Sequence, residues 1–255
     1  MKITGNTFIV TGGASGLGEA TVRAIVNDGG NAAIFDLSDE TGAALATELG
    51  KSAVYCHTDV SGEASVEAAV QKTIDAFGAV HGVINCAGIG TPAKTLGKKG
   101  PMPLEKFTRM IQINLVGTFN VIRLAAARMI DNTPNADGER GVVINTASVA
   151  AFEGQVGQVA YAASKAGIVG MTLPLAREFA EYGIRVLTIA PGLFETPMFA
   201  SFSEKVRESL QSQLPFPSRF GKPSEFADLV KAILGNPVLN GETIRIDSAM
   251  RMQAK

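Results

Sequence analysis

Tyr161 and Lys165 fall on one face of a stretch with helical periodicity, because positions i and i+4 meet on a helix surface. Ser148 closes the strand-like run that begins at Val142. A tyrosine is a poor acid–base catalyst at its ordinary pKa of ~10. Bringing it to ~7 requires roughly 4 kcal/mol of preference for the phenolate. A lysine ammonium ~5 Å away supplies about 3 kcal/mol in an effective dielectric of ~20. A positive charge on a bound cofactor ring adds a comparable amount. The trio therefore predicts proton exchange with a substrate oxygen, Tyr161 acting as base and Ser148 hydrogen-bonding that oxygen. The same spacing of tyrosine and lysine also occurs on ordinary amphipathic helices, so its meaning rests on what accompanies it.

What accompanies it is a glycine turn, Thr11-Gly12-Gly13-Ala14-Ser15-Gly16-Leu17-Gly18, between the apolar run Phe8–Val10 and helical sequence from Ala20 to Val26. Strand, glycine turn and helix start together set unpaired N–H groups and a positive helix end before a phosphate. Gly12 permits the tight turn, Gly16 a close approach to pyrophosphate, and Gly18 close packing of helix on strand. Asp36 ends the next strand, where a carboxylate accepts hydrogen bonds from an adenosine ribose and repels a 2′-phosphate. Leu37 follows it and Ser15 occupies the turn, so no cation stands ready for that phosphate, which favours NAD over NADP. Asp59 ends the third strand and reads either as an acceptor for the adenine amino group or as the cap of the following helix. Asn85-Cys86-Ala87-Gly88 ends the fourth with small residues that let backbone run close to a flat ring. Cys86 reads as a packing residue, since apolar flanks do not stabilise a thiolate.

Around these residues, strand-like runs alternate with helical ones. Strands are predicted at Phe8–Val10, Ala32–Phe35, Ser52–His57, Val80–Asn85, Val142–Thr146, Ile184–Ile189 and Glu242–Ile246. Helices are predicted at 40–49, 64–77, 105–130 and 159–182. Near-continuous apolar strands separated by helices indicate a parallel sheet covered on both faces. The right-handed crossover rule then predicts a single-domain α/β Rossmann fold with a doubly wound, seven-stranded parallel sheet. Gly90–Pro103, Asn132–Gly141 and Pro197–Pro217 break the rhythm and are expected near the carboxyl ends of strands, where such sheets bind ligands.

The 255 residues are 46% hydrophobic, enough for one large core, and the net charge of −1 gives no electrostatic reason to expect nucleic acid or an anionic membrane as partner. No apolar run approaches the ~20 residues of a membrane span. Two cysteines suit a reducing compartment, and strand-like sequence by residue 7 leaves no room for a signal peptide, so a cytoplasmic protein is expected. Two His and two Cys show no metal-ligand spacing, and no metal is predicted. A serine hydrolase is disfavoured because His57 and His81 are the only imidazoles and no Gly-x-Ser-x-Gly elbow occurs.

Taken together, these motifs in this chain order resemble the short-chain dehydrogenase/reductase family over essentially the whole length. Within it the chain is most similar to the type II 3-hydroxyacyl-CoA dehydrogenases, also called type 10 17β-hydroxysteroid dehydrogenases. The closer match lies in Thr11–Gly18, Asn114–Leu124, Val143–Gly157, Gly167–Leu173, Thr188–Phe194 and Pro215–Arg219. The resemblance implies NAD-dependent interconversion of (S)-3-hydroxyacyl-CoA and 3-oxoacyl-CoA, with a hydroxysteroid dehydrogenase, a 3-oxoacyl-carrier-protein reductase or, outside the reaction class, a non-catalytic NAD-binding scaffold as alternatives. It adds Asn114 as a fourth catalytic position, holding a water that links the lysine to solvent. Read from the residues alone, Asn114 is a polar residue interrupting and bending a helix. The resemblance also implies cofactor contacts from Ser15, Leu17, Asp36, Asp59, Val60, Cys86, Phe194 and Thr196, with Pro191-Gly192 in the turn that holds the nicotinamide carboxamide. A homotetramer follows from it, with the Tyr161 helix and the end of the chain at interfaces.

Two segments are open to two readings each. Pro197–Pro217 carries Met198, Phe199, Phe202, Leu210, Leu214 and Phe216, and reads as a mobile apolar lid over an acyl or steroid substrate or as a surface helix with a core-facing stripe. Lys94, Lys98 and Lys99 read as a solvated loop in preference to contacts for CoA phosphates.

Overall fold

In the computed structural model, residues 1–98, 100–197 and 204–254 are described. In chain order the main elements are β1 (Thr7–Thr11), α1 (Gly16–Asn27), β2 (Asn31–Asp36), α2 (Asp39–Leu49), β3 (Ala53–His57), α3 (Glu63–Phe77) and β4 (Gly82–Asn85). They continue with α4 (Leu104–Ile111), α5 (Gly117–Met129), β5 (Gly141–Thr146), α6 (Val159–Glu178), β6 (Ile184–Pro191), α7 (Glu204–Gln211), α8 (Pro223–Gly235) and β7 (Thr243–Ile246). The sheet order is β3-β2-β1-β4-β5-β6-β7, every pairing parallel. This is the predicted doubly wound α/β sheet, with the order reversing between β1 and β4.

The strands are buried on both faces because alternate residues feed two separate cores. Ile9, Val83, Val143 and Val186 pack beneath α3, α5 and α6. Phe8, Val10, Ile84, Ile144 and Leu187 face the opposite way, against α1 and α8. Each such fully buried side chain contributes about 1.5–3 kcal/mol. Helix α8 was not among the predicted elements, yet it supplies Phe226, Val230, Ile233 and Leu234, all essentially fully buried. Its start carries recognisable signals: Pro223 in the first turn and Glu225 returning to the Lys222 backbone N–H at 2.7 Å.

Two expectations about the chain's layout need correcting. Asn132–Gly141 leads into the amino end of β5, on the side of the sheet away from the ligand edge. Asn132 Nδ2 there binds the carbonyls of Val80 and Arg140, which closes the entry to the sheet. The second concerns hydropathy. The helical stretches Leu104–Met129 and Val159–Tyr182 have mean hydropathies of 1.3 and 1.2 over 18 residues, so in length and composition both match a membrane span. Counting uninterrupted apolar runs hides them, because Asn114, Thr118, Asn120 and Lys165 punctuate both. Their apolar side chains Val121, Ile122, Met129, Ile168 and Leu175 lie in the cores on the sheet.

Of the Pro197–Pro217 stretch, Met198, Phe199 and Phe202 lie outside the described residues. Leu214 is buried with Leu193, Phe220 and Met250, and Leu210 packs on that cluster, whereas Phe216 is exposed. The described part therefore behaves as a surface helix and loop with a core-facing stripe.

Candidate active site

The carboxyl ends of β1, β4, β5 and β6 converge on one edge of the sheet, and the predicted residues gather there. After β1 the chain turns at Gly12, whose φ of +62° suits glycine. A Cβ at Gly12 would stand 2.9 Å from the Ala87 backbone nitrogen, so the turn and the end of β4 touch through backbone alone. A Cβ at Gly18 would collide with the Gly12 carbonyl oxygen, which explains the close approach of α1 to the turn. Ser15 is the N-cap of α1 in extended conformation, and its side chain makes no capping bond. The first-turn N–H groups of Gly16, Leu17 and Gly18 have no carbonyl partner within the helix, which makes this end an anion site.

Asp36 is held in place from all sides. Its carboxylate accepts from Ala14 N at 3.1 Å in the glycine turn and from Ser38 N at 3.0 Å beyond β2. Its carbonyl accepts from Thr58 N at 2.9 Å and from the Tyr55 hydroxyl at 3.0 Å. Among the described residues no Lys or Arg forms an ion pair with it. Asp59 does not cap the following helix, whose N-cap is Gly62; its Oδ1 accepts from Ser61 N at 2.9 Å and Ser61 Oγ at 2.7 Å in the turn before it. Val60 is buried against Gly117, and its carbonyl accepts from Asn120 Nδ2 at 2.9 Å.

Cys86 Sγ accepts from Thr146 Oγ1 at 3.6 Å, and burial pushes its thiol up to about 11, as a packing cysteine requires. Across the edge, Gly192 N donates to Ile246 O at 2.9 Å. Phe194 turns its ring into the core, edge-on to Phe226 at 6.5 Å, so only its backbone remains for a ligand. Thr196 completes this second wall: a Cβ on Gly16 would lie 3.5 Å from it. Two backbone turns thus stand beside each other at this edge, with unpaired helix N–H groups in one and the fixed Asp36 carboxylate next to it, donors and an acceptor of the kinds a dinucleotide requires.

At the other end lie the reactive side chains. Ser148 caps a short 3₁₀ turn, Val149–Ala151, and accepts from Ala150 N at 3.1 Å. Tyr161 and Lys165 follow on α6, with the Lys165 Nζ 5.8 Å from the tyrosine ring centre. That ammonium donates to the Thr146 carbonyl at 2.8 Å and is fully enclosed, which brings its pKa down to about 8. Burial pushes the Tyr161 phenol up, and a hydrogen bond with Ser148 pulls it partly back. The ammonium that donates to Thr146 also stands beside the phenol, so Lys165 and Ser148 both border the Tyr161 side chain.

Asn114 lies in a π-helical turn, Gln112–Val116, between α4 and α5. The interruption expected from a polar residue is therefore real, and it takes the form of a π-bulge. Asn114 Oδ1 accepts from Ile89 N at 2.8 Å, and Nδ2 donates to Ile89 O at 2.9 Å and to Ser164 Oγ at 3.1 Å. Ser164, which the sequence reading did not single out, donates in turn to the Tyr161 carbonyl at 2.7 Å. A Cβ at Gly88 would be 3.2 Å from Asn114 Oδ1 and 3.6 Å from Lys165 Nζ, so Gly88 lies against both groups. Ser148, Tyr161, Lys165 and Asn114 are thereby brought together. His57 and His81 are elsewhere, the first with Asp39 and the second accepting from Thr7 N at the amino end of β1. Neither serves Ser148 as a base.

Comparison with known proteins agrees with this geometry. The family model of short chain dehydrogenases matches residues 6–207. The 3-hydroxyacyl-CoA dehydrogenase type-2 of Homo sapiens is 55% identical over 254 residues, covering 99% of this chain and 97% of that protein. The Bos taurus protein of the same name is 54% identical with the same coverage. A crystal structure of 3-hydroxyacyl-CoA dehydrogenase type-2 from Mycobacterium avium superposes with a TM-score of 0.95 at 43% identity, over 98% of both chains.

Proposed function

The chain belongs to the short chain dehydrogenase family and is an oxidoreductase, and from this premise we propose that it interconverts (S)-3-hydroxyacyl-CoA and 3-oxoacyl-CoA with NAD. The observation that carries the reading is the Ser148–Tyr161–Lys165–Asn114 group beside a backbone cradle whose far end is closed by Asp36. NAD, when bound in the cradle, supplies the acceptor for the hydrogen removed from the 3-carbon. The chain's residues do the rest. Asp36 receives the ribose hydroxyls and turns away a 2′-phosphate. Gly12, Ser15, Gly16, Leu17 and Gly18 hold the pyrophosphate, while Ala87, Gly88, Pro191, Gly192 and Thr196 flank the nicotinamide end.

Ser148 and Tyr161 grip the substrate oxygen together, and Tyr161 takes its proton during oxidation or returns it during reduction. The phenol begins above its ordinary pKa, so it needs positive charge close by to act as base near neutral pH. Lys165, with its Nζ 5.8 Å from the tyrosine ring centre, provides one such charge, and an oxidised nicotinamide ring bound in the cradle would provide a second. Asn114 ties α4–α5 to α6 through Ser164 and extends the proton route from Lys165 outward. The reading includes a homotetramer, which the exposed large apolar side chains Val116 and Phe119, on α5 and its entry, and Val159 and Leu173, on α6, support.

The test is reduction of acetoacetyl-CoA followed by loss of NADH absorbance, with NADPH alongside. Turnover with NADH that greatly exceeds turnover with NADPH supports both substrate and cofactor. Cofactor binding without turnover refutes the short acyl-CoA assignment and turns attention to steroid and branched substrates.

A further inference from the structure

In the segment that joins Ser148 to Tyr161, residues 154–158 form one side of a groove of about 460 Å³ whose other walls include Lys94, Leu96 and Ala162. Nothing regular holds residues 152–158; they are neither strand nor α-helix. They are held from the end of the chain. The Glu153 carboxylate takes both Nη atoms of Arg245, at 2.8 and 3.1 Å, and accepts from Met252 N at 3.2 Å. Arg251 approaches it at 3.3 Å. Two further bonds continue the seam, from Gln155 Nε2 to Gln253 O at 3.0 Å and from Val156 N to Ala254 O at 3.1 Å. Arg245 also lies over the Phe152 ring, 5.3 Å from its centre.

The same arginine reaches the cofactor side. Its Nε donates to Asp247 Oδ2 at 2.7 Å, and Asp247 sits so close to the Pro191-Gly192 turn that a Cβ on Gly192 would be 2.9 Å from the Asp247 Cα. Beyond Asp247 the chain passes through Ser248 and Ala249 at φ values of +53° and +60°. Two successive non-glycine residues in the left-handed region are disfavoured and persist only where their surroundings impose them. Here Asp247 Oδ1 accepts from Ala249 N at 3.1 Å, and Met250 is fully buried beside Leu193. The turn is therefore clamped between the two walls of the site.

We propose that Glu153 and Arg245 are positioning residues for the reaction: their ion pair, relayed through Asp247, sets the groove wall at residues 154–158, taken as the substrate wall, in register with the cofactor turn at Gly192. Neither touches the reacting atoms. They act by fixing the groove wall against which the substrate lies while leaving Ser148 and Tyr161 in place, so their loss falls on KM and not on kcat. The inference rests on the acyl-CoA reading for its substrate, so its test has one arm that does not.

The variants are Glu153→Gln, Arg245→Lys, which keeps the charge and loses the paired geometry, and Arg251→Ala at the exposed rim. Steady-state reduction of acetoacetyl-CoA is measured with amide hydrogen exchange of the unliganded proteins. Glu153→Gln and Arg245→Lys are expected to raise KM for acetoacetyl-CoA about tenfold while kcat stays within about twofold and KM for NADH is unaltered. Exchange at Val156 and its neighbours quickens in the same two variants, with a smaller change in Arg251→Ala. A lowered melting temperature with unchanged KM would mean a purely structural ion pair and overturn the proposal. If the unaltered enzyme fails to reduce acetoacetyl-CoA, the substrate reading falls, and exchange decides alone: unchanged protection of residues 153–158 and 192–193 in Glu153→Gln then refutes the clamp.

Discussion

Lys165 donates to the Thr146 carbonyl at 2.8 Å, so the one buried cation of the site is anchored to the end of β5 instead of to the phenol it serves. Its enclosure lowers its pKa from 10.5 to about 8, which means the fold carries a cost for keeping it charged.

Lys165→Met should therefore stabilise the unliganded protein while abolishing activity. The shift from 10.5 to about 8 corresponds to about 3 kcal/mol, and losing the bond to Thr146 returns about 1 kcal/mol, leaving a net gain of about 2 kcal/mol near pH 7. The pH sign follows. Between about 8 and 10.5 the unfolded chain binds a proton that the folded chain does not, so stability of the unaltered protein rises across that window. The variant's stability should lack this rise, as denaturant titrations at pH 7 and 9.5 would show.

Tyr161→Phe removes the proton acceptor and the hydroxyl that bonds Ser148. Turnover should fall by about 10²–10⁴-fold, while NADH affinity measured by fluorescence stays within a few-fold. Retained turnover would exclude Tyr161 as the base.

Asp36→Ala deletes the charged acceptor at the ribose end. Loss of about 1.5–3 kcal/mol predicts NADH affinity lower by roughly ten- to a hundredfold, with NADPH affinity unchanged or improved. Isothermal titration with both cofactors checks this, and an equal loss for both would deny Asp36 its discriminating role.

Glu225 sits under the Arg219 guanidinium, with bonds of 2.9 and 2.6 Å, and at the start of α8; its carboxyl is held down at about 2. A depressed carboxyl contributes stability that is complete above its unfolded pKa of ~4.3 and lost as pH falls toward about 2. Both partners are more than a third exposed, so solvent screening limits the gain to about 0.5–1 kcal/mol. Glu225→Gln should cost that amount at pH 7 and nothing at pH 2, read from urea midpoints.

The sheet was legible in the sequence because its strands are short apolar runs bounded by glycine and polar residues. So was the clustering of Ser148, Tyr161 and Lys165, since helical spacing and a strand end place them without long-range information. Ser164, Thr146 and the Glu153–Arg245 seam were not legible. Their roles depend on which loops meet in space, and a serine beside a catalytic lysine looks like any other. Helix α8 was readable in principle from Pro223, Glu225 and the stripe Phe226, Val230, Ile233 and Leu234. The electrostatics of Lys165 could not be read at all, because spacing gives the distance between two side chains but not the carbonyl that captures one of them.

The strand order β3-β2-β1-β4-β5-β6-β7 also has a consequence for synthesis. One wall of the nucleotide cradle is complete once β4 has paired with β1, but its opposite wall, from Pro191 to Thr196, leaves the ribosome roughly a hundred residues later, several seconds at typical elongation rates. Ligand-linked stabilisation acts only on a state that binds. A dinucleotide that needs both walls would therefore stabilise only chains that have grown past β6.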